Sequence, residues 1–140
     1  MKRITVLIAD DHRDFRKVVH DFLSHLPNVF VVGEACDGEE AVEQVGRLCP
    51  DVVLMDIQMP RKNGFEATKI IKERWPNTRV LIATLHDEMA YRIQAQEARA
   101  DGFISKSDLH PSLSLTFGPV SPDVGVPYQQ VVERKSGDKP

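Results

Sequence analysis

No run of apolar residues in this 140-residue chain approaches the roughly 18 that a membrane-crossing helix requires. The N-terminus offers only a six-residue, mostly apolar stretch, Ile4 to Ala9, before Asp10 and Asp11 end it, which is too short for the core of a signal peptide. Cysteine is scarce. Cys36 and Cys49 lie 13 positions apart with no metal-ligand spacing around them, so both are expected to be reduced, buried, small apolar residues of a cytoplasmic protein. Basic excess is also lacking: the formal net charge is -3, which argues against a surface built mainly for nucleic acid or an anionic membrane. There is no Gly-rich phosphate loop, no Ser/His/Asp arrangement and no His/Cys metal cluster. Repeats are absent too.

What remains is a chain of ordinary globular composition, 41% hydrophobic and 28% charged, long enough for one domain. Up to about residue 106, short apolar runs alternate with helical periodicity. Ile4–Ala9, Val29–Val32, Val52–Met55, Val80–Ala83 and Phe103–Ile104 read as strands. Most are continuously apolar, as strands covered on both faces should be. Phe15, Val18, Val19, Phe22, Leu23 and Leu26 form a helical stripe between the first two. Asp37-Gly38-Glu39-Glu40 opens a second helix with an acidic first turn and an apolar face of Ala41, Val42, Val45, Leu48 and Cys49, stopped by Pro50. A third runs from Gly64 or Phe65 to Arg74. The fourth, about Glu88 to Ala98, has the weakest stripe, Met89 and Ile93 with alanines, and is expected to be the least firmly packed.

Strand–helix alternation with short connections predicts one doubly wound, five-stranded parallel sheet, an α/β fold with helices on both faces. Residues 1–106 hold this pattern; from 107 to 140 it fails. Pro111, Pro119, Pro122, Pro127 and Pro140 are five of the nine prolines. Residues 109–117 suit either a short helix or an extended piece, and the rest reads as an irregular tail.

In such sheets the site lies at the carboxyl ends of the strands. The first strand ends in Asp10-Asp11, the third in Asp56, the fourth in Thr84 and the fifth in Ser105-Lys106. Three carboxylates converging in a partly desolvated cleft repel one another strongly. A hard divalent cation such as Mg²⁺ compensates, and so would the Lys106 ammonium. With the metal in place, one carboxylate can attack phosphorus. Mg²⁺, Lys106 and the Thr84 hydroxyl with a backbone N–H can then take the three equatorial oxygens of the transition state. Singly, each residue is ordinary: a cap, a loop acid, a surface lysine, a strand-end hydroxyl. His12, His20, His25 and His110 read as surface or capping residues.

Val6-Leu7-Ile8-Ala9-Asp10-Asp11-His12, then Val52 to Pro60 around Asp56 with Asn63-Gly64, then Thr84, then Gly102-Phe103-Ile104-Ser105-Lys106, resemble the receiver domains of bacterial two-component response regulators. The steps are 45 residues from Asp11 to Asp56, 28 to Thr84 and 22 to Lys106, and the resemblance covers residues 4–106. Ala9-Asp10-Asp11-His12 and Val32-Gly33-Glu34-Ala35 are closest in pattern to the NarL/FixJ type.

The resemblance implies a CheY-like, flavodoxin-like fold with strand order 2-1-3-4-5. It makes Asp56 the phosphoacceptor, with Mg²⁺ held by Asp10, Asp11, Asp56 and the Gln58 backbone carbonyl. Lys106 would grip the phosphoryl group, Thr84 would swing towards it and Phe103 would turn inward. Gln58 and His86 would tune dephosphorylation. A sensor histidine kinase would be the partner, in a signalling domain rather than an enzyme. Two alternatives stand beside it: a phosphatase of the haloacid dehalogenase type, which would need a second acid where Gln58 stands, and a degenerate receiver that binds without phosphorylation.

Four departures are notable. Arg99 stands where glycine is usual, at a cost of roughly 1 kcal/mol if its backbone is left-handed. Leu85 follows Thr84 where a small residue is frequent. The fifth helix is expected to be short or absent, so that any homodimer would use another surface or the tail. No helix-turn-helix is expected in the 34 residues after Lys106, so DNA binding is not carried over.

Overall fold

In the computed structural model, residues 2–85 and 88–118 are described. The elements are β1 (Ile4–Ala9), α1 (Arg13–Ser24), β2 (Val29–Ala35), α2 (Gly38–Leu48), β3 (Val52–Met55), α3 (Gly64–Arg74), β4 (Arg79–Thr84), α4 (Met89–Glu97), β5 (Gly102–Ser105) and α5 (Leu109–Phe117). A single turn of 3₁₀ helix, Lys106–Asp108, leads into α5. All strand pairs are parallel and the order is β2-β1-β3-β4-β5, the flavodoxin-like receiver topology.

The alternation of side chains along each strand divides the core into two layers. Val6 and Ile8 of β1, Leu54, Leu81 and Ile104 face α1 and α5, where Val19, Leu23, Leu113 and Phe117 meet them. Leu7, Ala9, Val53, Met55 and Ile82 face α2, α3 and α4 through Ala41, Val45, Ala67, Ile71 and Ala95. Both faces of the central strands are therefore dry, which is why their sequences are uninterrupted apolar runs.

Residues 109–117, open between a short helix and an extended piece, form the helix. Pro111 is compatible with it because it lies in the first turn, where a backbone N–H has no intrahelical partner to lose. The fifth helix is thus short, but present. The prolines from 119 onward lie outside the described residues. Met89 and Ile93 are 69% and 47% exposed, and Ala95 alone is buried in α4. Val18 also lies outside the α1 stripe, exposed.

Both cysteines are exposed rather than buried. Cys36 follows the last residue of β2, and its thiol is held at the surface by Glu40, with Sγ 3.2 Å from Oε1. Cys49 caps α2 in a left-handed conformation, φ 49°, and lies outside the core.

Arg99 has φ 69°. It terminates α4: its N–H donates to the Gln96 carbonyl at 2.9 Å, and the next N–H, of Ala100, donates to the Ala95 carbonyl at 2.9 Å. This hydrogen-bond pair defines a helix end that favours glycine.

Candidate functional site

β1 and β3 are adjacent and paired Ala9 to Met55, so the residues that follow, Asp10 and Asp56, emerge side by side at the carboxyl edge. Backbone bonds hold them there. The Asp56 N–H donates to the Ala9 carbonyl at 2.9 Å, and the Asp10 N–H donates to the Ala35 carbonyl at 2.9 Å. Asp10 is 1% exposed and Asp56 6%.

The loop after Asp56 is set by the start of α3. Asn63 accepts from the Glu66 N–H at 2.9 Å, and the Glu66 side chain accepts from the Asn63 N–H at 3.1 Å, a reciprocal cap that satisfies two otherwise free donors. The Gly64 N–H then donates to the Ile57 carbonyl at 2.8 Å. A Cβ on Gly64 would fall 2.0 Å from the Asp56 carbonyl oxygen, so only glycine permits this approach.

Lys106 reaches in from the end of β5. Its Nζ lies 2.5 Å from Asp10 Oδ2 and 3.2 Å from Asp56 Oδ1, and also stands over the Phe15 ring, 4.1 Å from the centroid. One ammonium thus balances two buried carboxylates. The balance is incomplete: burial, then the charge of Asp10, push the Asp56 carboxyl up to about 6, while Lys106 pulls the other way. Asp11 lies beside the pair, more open to solvent. Ligand-type atoms of Asp10, Asp11, His12 and Asp56 all come within 4.8 Å of one another. Such a group of close oxygens, left with negative excess, fits a divalent cation.

Thr84 ends β4, buried, two residues beyond Ile82, which pairs with Met55 of β3. It therefore shares the edge with the acids. Phe103 is buried in the layer formed with α4, and the Arg92 guanidinium covers its ring at 4.8 Å. The Gln58 side chain is exposed, two residues past Asp56. Leu85, next to Thr84, is exposed as well. His86 lies outside the described residues.

Sequence reasoning brought out the acids and the lysine but passed over three neighbours. His12, read as a surface or capping residue, is the N-cap of α1, yet its side chain makes no cap hydrogen bond. Instead Nδ1 lies 3.1 Å from Asp11 Oδ1 and 3.3 Å from Asp10 Oδ1. Phe15, read as part of the core stripe, also supports Lys106. Arg16 donates to the Asp10 carbonyl at 2.7 Å and to Glu34 at 2.9 Å, tying the site to the end of β2. Their closeness in sequence to Asp10-Asp11 was the available signal.

A protein-family model described as the response regulator receiver domain matches residues 6–113. Over 104 residues the chain is 41% identical to the transcriptional regulatory protein DegU of Brevibacillus brevis, covering 74% of this chain and 44% of that protein. It is 43% identical over 122 residues to a protein-glutamate methylesterase/protein-glutamine glutaminase of Thermotoga maritima, covering 86% and 35%. Among solved structures, the receiver domain of the response regulator NarL from Mycobacterium tuberculosis superposes with a TM-score of 0.73 at 39% identity, covering 76% of this chain and 86% of that one. The chain spans less than half the length of these two curated relatives. On the fold, the matched residues and these likenesses, the chain belongs to the response regulator receiver domains of two-component systems.

Proposed function

We propose that this domain accepts a phosphoryl group on Asp56 from a phosphohistidine of a sensor histidine kinase, with the help of Mg²⁺. The observation that carries the reading is Lys106 bridging Asp10 and Asp56 at the edge of the sheet, with Asp11 alongside. An Asp56 carboxylate oxygen forms the new bond to phosphorus as the donor's P–N bond breaks, and the electron pair leaves with the imidazole. Asp10, Asp11, Asp56 and the Gln58 carbonyl would hold the cation, which when bound supplies positive charge for the phosphate oxygens.

Lys106 is already within reach of Asp56, and transfer lets it exchange its contact there for a phosphoryl oxygen. Thr84 is proposed to move towards that group and Phe103 to repack with it, Phe103 adjusting against Arg92. Gln58 and His86 are proposed to set the lifetime of the phosphoryl group. None of these residues needs a second substrate, so the domain would act as a switch rather than turn over free phosphate esters.

A cytoplasmic site of action follows from the proposed kinase and donor; among the described residues no helix is long and apolar enough to cross a membrane. The relatives include a transcriptional regulator and a methylesterase, outputs that would lie outside the matched residues 6–113. Any homodimer is proposed to use residues 107–140 or a surface other than the face of α4, β5 and α5. Size-exclusion chromatography of the chain with residues 107–140 deleted tests whether that segment contributes.

Treatment with a small phosphodonor and Mg²⁺ followed by intact mass measurement tests the central step. A gain of about 80 Da, absent in Asp56→Asn, is the expected result. Turnover of phosphomonoesters would indicate a phosphatase, and no adduct a phosphorylation-independent binding module.

A further inference from the structure

The loop between β3 and α3 carries Gln58, and its far half leans on α2. There the Lys62 N–H donates to the Pro60 carbonyl at 2.7 Å, closing a three-residue turn around Arg61, whose φ is 68°. A turn of this hand is rare and strained, and glycine would form it without steric cost. Such backbone persists only where the surroundings over-determine it. Two contacts do so. A Cβ on Gly38, the first residue of α2, would fall 1.9 Å from the Lys62 carbonyl oxygen, so the loop lies directly against that helix. The Arg61 side chain then reaches Asp37, with Nε 3.1 Å from Oδ2.

Asp37 is buried, and both its oxygens are engaged: Oδ1 accepts from the Glu40 N–H at 2.7 Å and caps α2, while Oδ2 takes Arg61. The Glu40 N–H, and then Arg61, hold the Asp37 carboxyl below its usual range against the opposing effect of burial. An ion pair with a partner as open as Arg61, 64% exposed, adds little to global stability. Its effect is local. It ties the strained turn to a helix start that follows β2, whose last residue, Ala35, accepts the Asp10 N–H.

Resting on the phosphoacceptor reading of the strand-end pocket, we propose that Asp37 and Arg61 are positioning residues, whose contact clamps this loop to α2 and so holds the Gln58 carbonyl ready for the cation. On the other side the Gly64 N–H holds the Ile57 carbonyl, so Gln58 lies between two anchors. A loop released at Arg61 leaves Asp10 and Asp56 in place at the ends of β1 and β3 but must reorder before the cation binds. That weakens binding and leaves the chemistry of the loaded site alone.

Titration calorimetry with Mg²⁺ on the full chain, on Arg61→Gln, Arg61→Gly and Asp37→Asn, and on Arg61→Gln combined with Asp37→Asn, tests this. Asparagine keeps an oxygen for the cap of α2, and glycine relieves the turn. Each single variant is expected to bind Mg²⁺ about tenfold more weakly. The double variant is expected to bind no more weakly than the weaker single one, as residues acting through one contact require. Phosphoryl uptake from a small donor slows in these variants at low Mg²⁺ and returns to the parent rate at saturating Mg²⁺, while the urea midpoint of Arg61→Gln stays near that of the parent. Parental affinity in either Arg61 variant, additive losses, a deficit that persists at saturating Mg²⁺, or a midpoint that falls with the affinity overturns the clamp while the acidic pocket stands. If the unaltered chain binds no Mg²⁺ or takes up no phosphoryl group, the pocket itself is misread and the inference falls with it.

Discussion

The ammonium of Lys106 sits 4.1 Å from the centroid of the Phe15 ring. Among the described residues, Lys106 is the one cation shared by Asp10 and Asp56, and its side chain is largely buried. A desolvated ammonium over an aromatic face gains up to about 2 kcal/mol, and a phenyl ring cannot withdraw the charge from the carboxylates it serves. Phe15 therefore holds Lys106 in place from below. Phe15→Leu is expected to lower stability by about 1–2 kcal/mol and to slow phosphorylation by small donors, whereas Phe15→Tyr preserves both. Urea denaturation and the rate of phosphoryl uptake, measured on the same variants, check this; a leucine variant as fast as the parent would separate Phe15 from the site.

The raised carboxyl of Asp56 gives a stability signature with a definite sign. Its value in the folded protein is about 6, against an ordinary value near 3.8, chiefly because it is buried and then because Asp10 is close. Between about pH 4 and 6 the folded protein keeps a proton that the unfolded chain has released, so stability falls as pH rises through that window. The full penalty applies above pH 6. About two pKa units correspond to roughly 3 kcal/mol, an upper bound given the relaxation available at the site. Asp56→Asn removes the charge and is expected to be more stable than the parent by about 1–3 kcal/mol at pH 7.5 without divalent cations, with the gap closing below about pH 4. Denaturation in chelator across this range checks the sign; a gap that widens on acidification would contradict it.

Much of this was readable from residue order, for a physical reason. A strand buried on both faces must be an apolar run, so the first polar residue after it marks the sheet edge. Asp10 and Asp56 were located in that way, and Lys106 one residue beyond Ser105. The failures share a cause as well. Periodicity cannot separate an apolar residue that faces the core from one that faces water when the helix packs through small side chains, so Met89 and Ile93 were misassigned where Ala95 makes the contact. Residues 109–117 stayed open between helix and extended piece because the place of Pro111 within a turn depends on where the helix begins. Cys36 and Cys49 follow hydrophobic elements but occupy their ends, where the chain turns outward. The direction of the His12 ring is a matter of three-dimensional placement, which spacing along the chain does not encode.

Arg99 was legible as a departure, and its φ of 69° makes the cost concrete. The two hydrogen bonds that close α4 require this left-handed residue, and a Cβ there is strained by roughly 1 kcal/mol. Arg99→Gly is expected to raise stability by about 0.5–1 kcal/mol, the gain being offset in part by the greater freedom of glycine in the unfolded chain. α4 should then exchange its amide hydrogens more slowly. A thermal melt with hydrogen exchange on the α4 amides measures both effects. Destabilisation would show that the Arg99 side chain contributes more than its backbone costs.

Gly64 poses the opposite case. As the first residue of α3 it would gain helix propensity from a methyl group, so a purely local view favours Gly64→Ala. The added Cβ, however, would stand 2.0 Å from the Asp56 carbonyl oxygen, 2.8 Å from its carbon and 3.0 Å from Ile57 Cα. All three are backbone atoms, so no side-chain rotation relieves the clash. Either α3 moves away, breaking the Gly64 N–H bond to the Ile57 carbonyl, or the Asp56 peptide shifts and carries the carboxylate from Lys106. Overpacking of this kind costs typically about 1–3 kcal/mol, well above the fraction of a kcal/mol that propensity returns. Gly64→Ala is therefore expected to melt lower and to take up phosphoryl groups poorly even at temperatures where it stays folded. Circular dichroism melts paired with intact mass after phosphodonor treatment distinguish the two effects, and an alanine variant with unaltered melting and full uptake would contradict the close approach of Gly64 to Asp56.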